Sequence, residues 1–450
     1  MFAILGSALI FAMVSRLLPR KSHSILWKAF AARIFFSFAQ TAIYAWYYGS
    51  GDMYMYMDVG GRFASITARD PVTYLPQLLG ACIGITPSRG LAFEGTGTTA
   101  NMQAIVAVFR LFHDSIWAVG FWFGLLSFAA QAFAYHGAIR LVGERYERYV
   151  RLAFLYTPSV AFWSASITKE TVAIAGLSLV LYGVSSWSHS GVPAGLVSTF
   201  LGALILVISK PFILIPLGIS IAVFAMRKQR ADLPRKVNPL FRSLRPFALA
   251  ALAVGSVIVP GMLFPQLRPE KVVETANYRR TVAYGQGASD LSPARSEADD
   301  EFGLAYIPVG LTAALFRPFF FEARNLTQLL NVLETTAILY LVLRVVFRTG
   351  LRGIYRKILR HPELTFCIAF TLMTALAVGM SNPNLGTISR YRAPMMPFYV
   401  LALLILNESA RRPPRGQDLP ASAGGTVEGT ARLAAAVGGA GPARRRQNWK

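Results

Sequence analysis

The run IWAVGFWFGLLSFAAQAFAYHGAI, residues 116–139, contains no Asp, Glu, Lys or Arg. A helix rising ~1.5 Å per residue needs about 20 apolar residues to cross a ~30 Å hydrocarbon layer, so this run reads as a membrane-spanning helix. Within it Gly120 and Gly124 form a GxxxG pair, a device for close helix packing rather than chemistry. The pattern recurs along the chain. Apolar segments near 1–18, 27–48, 114–139, 150–166, 171–187, 194–209, 211–226, 247–264, 325–347, 364–380 and 394–407 predict about eleven crossings. The expected fold class is therefore all-α, a polytopic membrane helix bundle over residues 1–409. Outer loops 49–103 and 265–305 are expected to carry interfacial helices, and 410–450 is expected to be a disordered basic cytoplasmic tail.

Composition agrees. Of 450 residues 54% are hydrophobic and 15% charged, yet the net charge is +23. In a soluble chain that charge would suggest a nucleic-acid partner; here it falls in short clusters between apolar runs, which excludes that reading and points to the bilayer. Cys82 and Cys367 are far apart and predict neither a disulfide framework nor a zinc site. The first apolar segment has its basic residues, Arg16, Arg20 and Lys21, behind it rather than ahead, so it reads as a retained helix with its N-terminus outside.

Charge sets the orientation. Assigning links 16–28, 140–151, 188–193, 227–245, 344–361 and the tail to the cytoplasm places 29 of the 45 basic residues there. With this orientation the chain's polar motifs all emerge on the extracytoplasmic side. No sequence repeat is evident.

Ionisable groups at membrane depth cost several kcal/mol, about 2.5–3.5 at a helix centre, so those that remain tend to line cavities or pair. Five motifs stand out. In GDMYMYMDVG, residues 51–60, Asp52 and Tyr56 would share a helical face while Asp58 points elsewhere. Asp52 suits a general base for a hydroxyl acceptor, or else a helix cap. Met53, Met55 and Met57 read as packing. In PSVAFWSASITKE, residues 158–170, Lys169 and Glu170 sit at the outer end of a hairpin, as site residues or as an exposed pair, and Trp163 reads as an interfacial anchor. Lys210 precedes Pro211 at a break between two short apolar segments, where it either snorkels to head groups or holds a phosphate. In LFRPFFFEARN, residues 315–325, an interfacial amphipathic helix would place Arg317 and Glu322 at an amphiphilic substrate. Glu334, deeper in the following span, is expected to make a structural hydrogen bond to a neighbouring helix. In SNPNLGTISRYRAPMMP, residues 381–397, Arg390 and Arg392 with Tyr391 between them form a candidate fork for phosphate oxygens, or an anchoring girdle. Loop 265–305, with its acidic run Glu297, Asp299, Asp300 and Glu301, is expected to be a lid.

The motifs of nucleotide, nucleophile-elbow and zinc chemistry are missing, and the five histidines are scattered, predicting no metal site. An exterior carboxylate, several cations and aromatic residues fit transfer of a sugar from a lipid-phosphate carrier.

The motifs GD…Y…G, PS…FW…KE, the basic-Pro break, FRPF…E and GT…RYR…P, over residues 25–405, resemble the GT-C superfamily of polyprenyl-phosphate-dependent glycosyltransferases, particularly the multi-spanning proteins of bacterial polysaccharide clusters. The resemblance implies a GT-C-like bundle with Asp52 as the acidic base. It implies Arg390 and Arg392, then Lys210 and Arg317, as contacts to the carrier phosphate. Tyr56, Asp58, Lys169, Glu170, Glu322 and Tyr391 complete the candidate substrate-binding set. The donor would be a polyprenyl-phosphate-linked sugar and the acceptor a glycan or lipid-linked hydroxyl, in cell-envelope or exopolysaccharide synthesis. Cofactor use is unknown, with a divalent metal left open. A lipid-linked oligosaccharide polymerase or ligase, and a transporter or flippase of lipid-linked sugar, are the alternatives.

Overall fold

The computed structural model describes residues 2–16, 23–85, 97–190, 193–228, 253–264, 307–323, 326–382 and 384–409, with isolated positions between 250 and 274. The regular elements among them are helical. In chain order they are α1 (Phe2–Ser15), α2 (His23–Ala42), α3 (Asp52–Arg69), α4 (Pro71–Cys82), α5 (Thr98–Arg110), α6 (Ile116–Val142), α7 (Glu147–Leu155), α8 (Pro158–Trp163) and α9 (Lys169–Ser190). There follow α10 (Pro193–Ser209), α11 (Leu214–Lys228), α12 (Ala253–Leu263), α13 (Ile307–Phe316), α14 (Leu326–Arg360), α15 (Pro362–Ser381), α16 (Leu385–Tyr391) and α17 (Met396–Ser409). The tail from 410 and most of loop 265–305, including its acidic run, lie outside the described residues.

Among the described residues four helices are long and apolar enough to cross a membrane: Ile116–Val142, Pro211–Lys228, Gln328–Arg360 and Pro362–Ser381. Leu5–Ser15, Gly195–Ser209, Ala253–Leu263 and Ile307–Phe316 are shorter apolar helices. Loop 49–103 folds largely into α3, α4 and the start of α5.

The long helix α6 begins at Ser115, whose hydroxyl accepts from the Trp117 N–H at 3.2 Å, and ends at Gly143. Its GxxxG pair packs as the motif suggests. A Cβ on Gly120 would stand 2.9 Å from Thr41 Oγ1 and 3.0 Å from Ser166 Oγ, and one on Gly124 would stand 2.9 Å from Ser37 Cβ. The missing methyls let Ser37 Oγ donate to the Gly120 carbonyl at 2.7 Å, tying α2 to α6.

One expected crossing is broken. Segment 150–166 is two short helices, α7 and α8, because Pro158 lacks the N–H that would continue α7. The buried Arg33 of α2 fills the break, donating to the carbonyls of Leu155 and Val160 at 3.2 Å each. Trp163 is buried rather than interfacial, packed with Phe162 and Ala393.

Between α2 and α3 the chain passes through a π-helical segment, Ile43–Tyr48, and then turns at Gly49 and Gly51. Gly51 takes φ 110°, a conformation that side chains strongly disfavour, and this corner starts α3 at Asp52.

Candidate functional site

Four helix ends meet. Asp52 opens α3 and Glu170 lies in the first turn of α9, whereas Lys210 follows the last residue of α10 and Arg390 lies in the last turn of α16. The positive end of a helix dipole favours a carboxylate and the negative end a cation, so each helix presents the charge its own end stabilises.

The charges are in contact. Arg390 Nη1 donates to Asp52 Oδ2 at 2.7 Å, and Arg390 Nε lies 2.8 Å from Glu170 Oε1. Lys210 Nζ donates to that same Oε1 at 2.6 Å and stands 3.7 Å from the centre of the Tyr391 ring. Glu170 and Lys210 are buried, Arg390 nearly so, and Asp52 keeps 47% of its side-chain exposure. Glu170 Oε2 is buried without a hydrogen-bond partner. Burial opposes the charge on Arg390, but Glu170, Tyr44 and Asp52 outweigh it and hold its pKa well above the ordinary arginine value.

The cluster thus has two carboxylates and two cations, with one carboxylate at the rim. Lys169 stands beside it, donating to the hydroxyls of Thr99 at 2.7 Å and Thr98 at 3.2 Å on α5. Tyr56, one turn beyond Asp52, is buried with Met53 and Met57, so the methionines pack as expected. The structure therefore brings together Asp52, Tyr56, Lys169, Glu170, Lys210, Arg390 and Tyr391. The exposed-pair alternative for Lys169 and Glu170 fails, because Glu170 is buried against Lys210 and Arg390 and Lys169 is held by Thr98 and Thr99 on α5, and Lys210 does not snorkel but points to Glu170.

Other expected members stand elsewhere. Asp58 is exposed and paired with Arg62 at 3.2 Å, since six residues along α3 turn it away from Asp52. Arg392 does not join Arg390 in a fork. It is buried, donating to the Arg317 carbonyl at 2.6 Å and the Ala314 carbonyl at 3.5 Å. Arg317 and Glu322 pair with each other, and Glu322 also accepts from the Phe319 N–H at 2.8 Å. The expected amphipathic helix there is only a 3-10 turn, Phe320–Glu322. Glu334 makes the structural contact foreseen for it, accepting from the Ser159 N–H at 2.6 Å and its hydroxyl at 2.7 Å at the start of α8. A cavity of about 480 Å³ opens beside it, lined by Phe36, Tyr156, Trp163, Leu330, Glu334 and Ile338 among others.

Tyr44, Thr98 and Thr99 were not foreseen. Tyr44 sits within electrostatic range of Arg390, Glu170 and Asp52; its position in an aromatic run gave no separate signal. Among the described residues no three His, Cys, Asp or Glu side chains gather as a metal-binding set. Comparison with known protein families, curated proteins and solved structures finds no match.

Proposed function

We propose that this protein is a membrane glycosyltransferase of GT-C-like architecture, with about eleven crossings, that moves a sugar from a polyprenyl-phosphate carrier to an acceptor hydroxyl on the exterior face of the bacterial inner membrane. The observation that carries this reading is the half-exposed Asp52 held against Arg390, above the buried Glu170 and Lys210.

The chemistry follows from that arrangement. Asp52 accepts the proton of the acceptor hydroxyl as its oxygen bonds to the sugar's anomeric carbon. The bond from that carbon to the phosphate oxygen breaks, and the electron pair leaves on the carrier phosphate. Arg390 is the cation placed to meet the growing phosphate charge, with Lys169 as a second, less buried cation. Glu170, itself held by Lys210, fixes Arg390 in place. The apolar cavity beside α8 supplies room for the first part of the carrier chain.

The test is purified protein given radiolabelled polyprenyl-phosphate sugars, singly and with lipid-linked acceptor. Asp52→Asn is expected to abolish transfer while leaving the protein folded and carrier binding largely intact; Arg390→Gln is expected to weaken carrier binding. Full transfer by Asp52→Asn removes the aspartate from the mechanism. Movement of whole oligosaccharide blocks would assign a polymerase, and translocation without bond formation a transporter.

A further inference from the structure

Helix α14 carries a recurrence only four residues long. Leu343-Arg344, Phe347-Arg348, Leu351-Arg352, Tyr355-Arg356 and Leu359-Arg360 place an apolar residue and an arginine together every four residues, with no acidic residue between Arg344 and Arg360. Residues four apart are neighbours on a helix surface, so the dipeptides form two stripes side by side on each of the helical stretches that flank Gly350. All five apolar members are exposed, Phe347 at 83% and Leu351 at 74%, and so are Arg348, Arg352, Arg356 and Arg360.

The helix changes direction inside this stretch. Gly350 takes φ 66° and ψ 156°, breaking α14 into a span and a short arm, residues 351–360. The 24 residues of 326–349 rise ~36 Å at ~1.5 Å each, slightly more than the ~30 Å hydrocarbon layer. The kink therefore falls where the helix has just crossed. Two contacts fix the arm: Arg227, at the end of α11, donates to the Leu359 carbonyl, and Thr365 Oγ1 donates to the Ile358 carbonyl. Because α11 starts four residues after Lys210 and its other end, at Arg227, meets Leu359, the arm lies at the end of α11 opposite the ion cluster.

We propose that the arm 351–360, with Arg348 at its root, is a binding surface for the anionic phospholipid head groups of the leaflet opposite the ion cluster. Leu351, Tyr355 and Leu359 enter the acyl boundary, and Arg348, Arg352, Arg356 and Arg360 meet the phosphates. A helix with an apolar stripe flanked by arginines is the form that lies in an interface plane, and its charge is complementary to anionic lipid alone among bilayer components.

The full-length protein in detergent, titrated with phosphatidylglycerol, phosphatidylcholine or inorganic phosphate and observed by native mass spectrometry, tests this. Phosphatidylglycerol should bind in preference to phosphatidylcholine, and the triple variant Arg352→Gln, Arg356→Gln, Arg360→Gln should lose roughly a hundredfold in that binding. Equal binding of the two lipids, an unaffected triple variant, or displacement of the lipid by inorganic phosphate would overturn the proposal. Independently, a nitroxide on Tyr355→Cys, with Cys82 and Cys367 replaced by Ala, should be more accessible to oxygen than to a water-soluble nickel complex in nanodiscs of equal parts of the two lipids. The reverse order would place the arm in water and sink the idea.

Discussion

Arg390 and Arg392 stand two residues apart, and the regions they serve differ in kind. Arg390 reaches two carboxylates, one of them half exposed, whereas Arg392 turns into the bundle and spends its hydrogen bonds on the carbonyls of Ala314 and Arg317. Two residues on a helix turn a side chain through about 200°, so neighbours at that spacing cannot converge on one ligand. The first region is a balanced charge cluster open at one edge. The second, with Glu334 capping α8, Glu322 holding Arg317 and one Arg392 nitrogen on two carbonyls, ties backbone segments together and works as a brace, with Arg392 Nε and Nη2 buried without partners among the described residues.

Substitutions can break or sharpen that contrast. The largest effect is expected for Glu170→Ala, which leaves Lys210 and Arg390 buried without their shared carboxylate; thermal unfolding of the solubilised protein should reveal a loss of about 3–5 kcal/mol. Arg392→Ala should cost about 2–3 kcal/mol through its hydrogen bonds to the α13 end. Carrier affinity, measured per folded molecule, should not change, and a selective loss of affinity would restore the discarded fork. Arg390→Lys keeps the charge but cannot bridge Asp52 and Glu170 together, so carrier affinity should fall roughly tenfold with stability little altered. Equal affinity would mean that charge alone matters there. Smallest of all, Asp58→Asn removes only an exposed pair with Arg62 and should shift stability by less than about 0.5 kcal/mol with transfer rates unchanged.

Much of the cluster was legible because ionisable residues are so rare at membrane depth. Asp52, Glu170, Lys210 and Arg390 each stood out singly against apolar surroundings. What the chain order could not supply was pairing. Lys210 had two open roles until Glu170, 40 residues earlier, was found against it. The arginine fork failed because the turn at 385–391 is a helix, and a short helix with Asn384 as its cap looks in sequence like any polar loop. Trp163 was misplaced for a related reason: its aromatic type fits an interface, but the break at Pro158 folds α8 inward. The four longest apolar helices were plain from hydropathy, while the shorter ones depend on tilt and neighbours, which a window of residues does not encode.

The π-helical segment Ile43–Tyr48 gives α2 a wider final coil just before the corner that delivers Asp52. Wider coils pack less tightly than α-helix and persist as single insertions near sites of function. Removing one residue there would restore a regular helix but swing everything beyond it by about 100°, carrying the aspartate away from its arginine. The extra residue acts as a spacer that sets the angular position of a carboxylate several residues downstream, so the best-formed version of this helix would be the wrong one for the molecule.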